Sequence, residues 1–160
     1  MALPLFFIHE AKIKGNMRAC FVHYICMRKY KRYLIIFTVG AAGYGTIELL
    51  WRGRTHWSML IAGGVCFILF TAIGRRMKSQ PLLYKCVLGS MAVTVVELVF
   101  GCVFNLWLKQ GVWDYSNLPL NVGGQICLLY SVLWGILSAV FVPFAQRFEQ
   151  YLQNKKSVVR

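Results

Sequence analysis

Four long apolar runs, each close to the length of one membrane crossing, limit what this chain can fold into more than any other feature. They extend from about Tyr33 to Trp51, Trp57 to Gly74, Leu83 to Leu108 and Gly123 to Phe144. A hydrocarbon core of about 30 Å takes roughly 20 apolar residues in helical form, and within it the backbone polar groups must pair inside a helix or a closed barrel. The expected fold is an all-α integral membrane protein, with four transmembrane helices arranged as two hairpins. A hydrophobic fraction of 58% in 160 residues fits one such unit. A basic, partly apolar arm (1–32), a helical membrane domain (33–145) and a basic tail (146–160) complete the expected organisation.

The arm opens on a patch from Leu3 to Ile8 that is too short to span and precedes its charges, which is not the order of a signal peptide. An interfacial helix or a disordered basic arm is expected there, and Met27, just before RKYKRY, offers a second start. Eighteen Lys and Arg against five acidic residues would point to nucleic acid in a soluble protein. Here the basic residues flank apolar spans, as attraction to anionic lipid requires, and no nucleic-acid-binding motif accompanies them. They crowd the arm, the Arg75 to Lys85 loop and the tail, whereas Arg52, Arg54 and Lys109 are the only ones in the alternate loops. The positive-inside rule then places both termini in the cytoplasm of a cell with this protein in its cell membrane.

Six cysteines are scattered without a CxxC pair or a His at zinc spacing, so free thiols and no metal or cofactor are expected. The polar residues inside the spans carry more information. Thr38, Ala41, Gly45, Glu48 and Arg52 share one helical face of the first span, and Ser90, Thr94, Glu97, Gly101 and Asn105 share one face of the third. Such faces belong inside a bundle. Glu97 lies about 11 residues beyond Cys86, which at about 1.5 Å per residue puts it near the bilayer midplane. An ionisable group at that depth is by default a functional candidate, although a neutral Glu joining helices is the structural alternative. Glu48 has a local explanation in an ion pair with Arg52 at i+4. Ser131, Gly135 and Ala139 form a small-residue packing ridge on the fourth span. A weak repeat, with Glu48, Trp51 and Trp57 echoed by Glu97, Trp107 and Trp113, makes the two hairpins look like versions of one unit.

Between the last two spans lies VWDYSNLPLNVGGQICL, residues 112–128, a short polar outer loop or re-entrant segment. Structure alone can explain it, with Trp113 and Tyr115 as headgroup anchors, Asp114 and Ser116 capping a turn and Asn121 capping span four. The alternative is an outward vestibule of Asp114, Asn121 and Gln125, with Asn105 and Glu48 below, leading to Glu97 as ion or substrate site. Arg52, Arg54, His56, Trp113, Tyr115, Ser116 and Asn117 would line its mouth or bind headgroups.

The run WDYS, then Pro119, Asn121, Gly124, Gln125-Ile126-Cys127-Leu128, Ser131 and Trp134-Gly135, resembles the signature of the type IV ABC-transporter membrane proteins, small bacterial multispan proteins. Glu48, Arg52-Gly53, Thr55-His56-Trp57-Ser58-Met59, Glu97 and Asn105 also sit at recurrent polar positions of that family. The resemblance covers about residues 30 to 140 and departs where some members carry a longer proline-rich segment and this chain has THWSML. It implies a transporter or permease subunit moving an ion or small solute, without naming the cargo. The chain has no GxxxxGK[ST] loop, so ATP-driven work would need a separate ATPase subunit. Four spans are few for a transport path, which makes a homo-oligomer in membrane lipid the expected state. Two other readings stay open: an intramembrane enzyme using Glu97 or Asp114 on a lipid-linked substrate, and a non-catalytic assembly partner.

Overall fold

A computed structural model describes residues 29–154; the arm before Lys29, with Cys20, Cys26 and Met27, and residues 155–160 lie outside the described residues. The chain forms two units, Met1–Leu34 and Ile35–Arg160. The described part of the first is the start of helix α1, where the Arg32 guanidinium lies 5.5 Å from the centre of the Tyr33 ring.

The second unit holds the bundle. Helix α1 spans Lys29–Arg52, α2 Trp57–Arg76, and α3 Leu82–Phe100. A π-helical segment, Gly101–Trp107, continues α3 without a break in the chain. Strands β1 (Asn121–Val122) and β2 (Ile126–Cys127) pair antiparallel, Asn121 opposite Cys127 and Val122 opposite Ile126, and lead into α4, Leu128–Asn154. All four helices, the third taken through Trp107, are long and apolar enough to cross a membrane. The protein is a multi-pass membrane protein. Val132, Ile136 and Val140 on α4 and Leu83, Val87 and Val95 on α3 are exposed, which hydrocarbon accepts because lipid tails are as apolar as these side chains.

Small residues and hydroxyls hold the helices together. Gly40 and Gly63 meet backbone to backbone: a Cβ on Gly63 would fall 3.0 Å from the Gly40 carbonyl oxygen, and one on Gly40 2.8 Å from that of Gly63. Only glycine at both positions lets α1 and α2 come this close. On α4 the expected ridge faces α3, where Ser90 Oγ donates to the Ser131 carbonyl at 2.5 Å and the Ser131 and Thr94 hydroxyls are 3.0 Å apart. At the far end of α2 from Trp57, Arg75 pairs with the buried Glu149 of α4 at 3.4 Å.

The fourth helix differs from expectation at both ends. It begins at Leu128 rather than near Gly123, because Gly123 and Gly124 take positive φ and the chain there makes the β1–β2 turn. Asn121 therefore caps that turn, its Oδ1 accepting from the Gly124 N–H at 3.1 Å, and does not cap span four. Pro143 removes one backbone donor without ending the helix, which continues to Asn154.

Candidate functional site

The residue with the fewest structural reasons to be where it is remains Glu97. It is 6% exposed on the bundle-facing side of α3. Its Oε1 accepts from the Tyr115 hydroxyl at 3.1 Å and its Oε2 from the Trp134 indole N–H at 2.8 Å. Tyr115 comes from the loop between α3 and α4, and its ring stacks on Tyr130 at 4.5 Å and 14°. Burial first, then the nearby Glu97 charge, holds the Tyr115 phenol above its usual range, so it remains a donor at any physiological pH.

Beside the carboxylate lies a cavity of about 320 Å³ between the helices. Its wall is almost entirely apolar, with Phe67 and Phe70 of α2, Val93 and Val96 of α3 and Phe141 of α4. Tyr44, Cys66, Glu97 and Trp134 supply its polar side-chain groups. The Tyr44 ring centre is 6.4 Å from that of Trp134, and its hydroxyl makes no hydrogen bond among the described residues.

A second cluster fastens the loop to the helices. Asn105 donates through Nδ2 to the Trp113 carbonyl and to Gln125 Oε1, both at 2.9 Å, and accepts from the Val112 N–H at 2.7 Å. The Trp113 indole donates to the Gln125 carbonyl at 2.9 Å, and Gln125 Nε2 donates to the Gly123 carbonyl. Asn105 sits in the π-helical segment, whose widened turn is marked by the Leu108 N–H bonding to the Val103 carbonyl five residues back. Insertions of this kind re-aim side chains and recur at functional sites. Val112 and Trp113 pack on Met59 with Tyr44, Phe104 and Tyr115 around them. Trp113 is thus a buried core residue held by its indole, and Tyr115 points at Glu97, so each ring's polar end finds its partner inside the bundle.

Glu48 is the third polar centre. Its Oε1 accepts from Arg52 Nη1 at 3.0 Å and its Oε2 from Thr55 Oγ1 at 2.6 Å, while Arg52 Nη2 donates to the Val112 carbonyl at 2.6 Å. The i+4 pair read in the sequence is present and also clamps α1 to the loop. Asp114 and Ser116 are exposed and form a local turn, in which Asp114 Oδ1 accepts from the Ser116 hydroxyl at 2.5 Å and N–H at 2.8 Å. These two bonds, the side-chain one first, hold the Asp114 carboxyl below its usual range. His56 Nδ1 accepts from the Ser58 N–H at 3.3 Å and so caps α2, whereas Arg54 and Asn117 are exposed.

Of the residues singled out from sequence, Glu97 and Tyr115 come together at one site, and Asn105, Gln125 and Trp113 at an adjoining one. None of Glu48, Asn105, Asp114, Asn121 and Gln125 lines the cavity beside Glu97. Sequence reasoning quoted Trp134 only within the family signature and did not place it, or Tyr44, beside Glu97. The signal existed for Trp134: a tryptophan in the middle of a span, away from the interfaces that tryptophan favours, needs a buried acceptor for its N–H.

A family model described as "Putative ABC-transporter type IV" matches residues 53–159. No curated protein and no solved structure matches the chain.

Proposed function

We propose that this chain, which belongs to the ABC-transporter type IV family, is a permease-type subunit that moves an ion or small solute, with Glu97 as its proton or cation site. One observation carries this reading: a carboxylate buried within a span borders a cavity and is held by neutral donors alone, Tyr115 and Trp134. A structural carboxylate at such depth is normally matched by a cation, whereas a transport site keeps its charge for the cargo. Protonating Glu97, or bringing a cation to it, weakens what Tyr115 and Trp134 hold. The loop between α3 and α4 then loses its grip on the bundle. Asn105, Gln125 and Trp113 act as the plug on that side, and Arg52 with Glu48 as its hinge to α1. The basic residues between α2 and α3 face the cytoplasm, as do both termini, and the 112–128 loop faces outward. A separate ATPase subunit supplies any ATP-driven step, and the working assembly is a homo-oligomer.

Purified protein in liposomes loaded with a pH-sensitive dye tests this under an imposed potential. Proton flux through the wild type falls about tenfold or more in Glu97→Gln, the change expected from losing one charge-assisted interaction of about 1.5–3 kcal/mol. Proton flux that is present and equal in the two proteins removes Glu97 from the transport role.

A further inference from the structure

We infer that the cavity beside Glu97 binds lipophilic organic cations, molecules with an apolar body and one positive charge, which reach it sideways from the bilayer between α1 and α4. The inference rests on Glu97 being the cargo site and names the class of cargo.

Charge pairing gives the first argument. Three glutamates are buried in the described residues, Glu48, Glu97 and Glu149. Arg52 pairs with Glu48 at 3.0 Å and Arg75 with Glu149 at 3.4 Å. Among the described residues Glu97 has no cationic partner, and no Lys, Arg or His lines the cavity it borders. The absent counter-charge is what a cationic ligand would bring, while an anion would meet only repulsion.

Shape and chemistry of the wall give the second. A volume of about 320 Å³ falls at the lower end of the range of small-molecule pockets, roughly 300–1,000 Å³. A bare metal ion calls for several oxygen ligands, which this wall does not offer. Instead it presents the rings of Tyr44, Phe67, Phe70, Trp134, Phe141 and Phe144, surfaces that bind an apolar body and attract a diffuse positive charge through their faces. The Tyr44 hydroxyl, without a hydrogen bond among the described residues, adds a polar contact for the head of such a molecule.

Access gives the third. The lining residues Val39, Gly43 and Ile47 of α1 and Leu137 and Phe144 of α4 are also exposed on the apolar surface of the bundle. The mouth therefore lies among side chains that face lipid, where amphiphilic cations partition and anionic lipid concentrates them.

Equilibrium binding to the full chain in lipid nanodiscs tests the inference, with tetraphenylphosphonium as probe. Tetraphenylborate has the same shape and the opposite charge, and tetramethylammonium has the charge without the apolar body. Tetraphenylphosphonium binds best of the three, and Glu97→Gln weakens it about tenfold or more. Gly43→Leu guards against misfolding of the Glu97 variant: a Cβ at Gly43 meets nothing within 4 Å, so the substitution intrudes on the mouth without disturbing the bundle, and it too weakens the probe about tenfold. Equal binding of the borate, or unchanged phosphonium binding in Glu97→Gln, would show a slot for acyl chains and overturn the inference. No phosphonium binding alongside Glu97-dependent proton flux overturns it while leaving the transport role standing. Proton flux indifferent to Glu97→Gln instead removes that role, and the inference with it.

Discussion

Two hydrogen bonds to one carboxylate decide how Glu97 behaves, and they come from different parts of the chain. Tyr115 donates from the loop and Trp134 from α4. Interhelical hydrogen bonds in membrane proteins are worth about 0.6 kcal/mol on average and up to about 1.7, so Tyr115→Phe and Trp134→Phe are each expected to lower stability by about 0.5–1.5 kcal/mol. Because both act on the same group, their effects should depend on it: in the Glu97→Gln background each loss shrinks, and a double-mutant cycle in denaturant reads the coupling. Strict additivity with Glu97→Gln would show that the two bonds contribute nothing in lipid. Asp114 gives an acid-sensitive counterpart outside the membrane. Its carboxyl is depressed in the folded loop, so the turn it holds is favoured above the ordinary Asp value of about 3.9 and released as pH falls through the lower folded value. The Ser116 amide resonance should titrate below the ordinary Asp range in the wild type and stay fixed in Asp114→Asn. A titration that persists in Asp114→Asn would assign it to another group.

At the scale of the element, close helix packing rests on particular glycines. Gly63 faces the α1 backbone, while Gly43, on the same helix as its partner Gly40, faces open space. Gly63→Leu should therefore cost about 1–3 kcal/mol, the usual penalty of overpacking, and Gly43→Leu almost nothing; unfolding in mixed micelles separates the two, and equal stabilities would refute the packing described. That contrast was only partly legible in the sequence. The four spans were readable because hydropathy and length report directly on membrane crossing, and Glu97 because a carboxyl in such a run has no cheap place to go. The start of α4 was not, since Val122, Ile126 and Cys127 look apolar enough to be helical and only the positive φ of Gly123 and Gly124 diverts them into a β-turn. Nor was the π-helical segment, because GCVFNLW has ordinary α-helical composition and its widened turn goes with bonds from Asn105 to Val112 and Trp113, residues outside the segment. The ridge of Ser131 and Gly135 was visible as a packing face, but its partner, α3 of the same chain, could be known only from the bundle.

For the whole molecule, the division of charge orders everything else. Each half of the chain supplies a buried glutamate on its first helix, Glu48 on α1 and Glu97 on α3, yet only the first is neutralised by an arginine. Across the weak repeat, Glu48 is matched by a charged partner and Glu97 by the neutral donors Tyr115 and Trp134. Which side of the membrane each end faces then sets the direction of any work. A cation gains about 2.3 kcal/mol per 100 mV on moving toward a negative interior, so export of such a cargo needs an energy source and uptake does not. Orientation is open to a direct measurement. In a chain whose native cysteines are replaced by serine, Asn117→Cys in the 112–128 loop and Lys78→Cys in the basic loop occupy exposed positions. A membrane-impermeant maleimide should label Asn117→Cys in intact cells and Lys78→Cys only after lysis. If the labelling is reversed, the positive-inside bias fails for this protein. Replacing Arg75, Arg76 and Lys78 by glutamine should weaken the orientation preference, because on that side only Lys85 and the termini would still carry the charge difference.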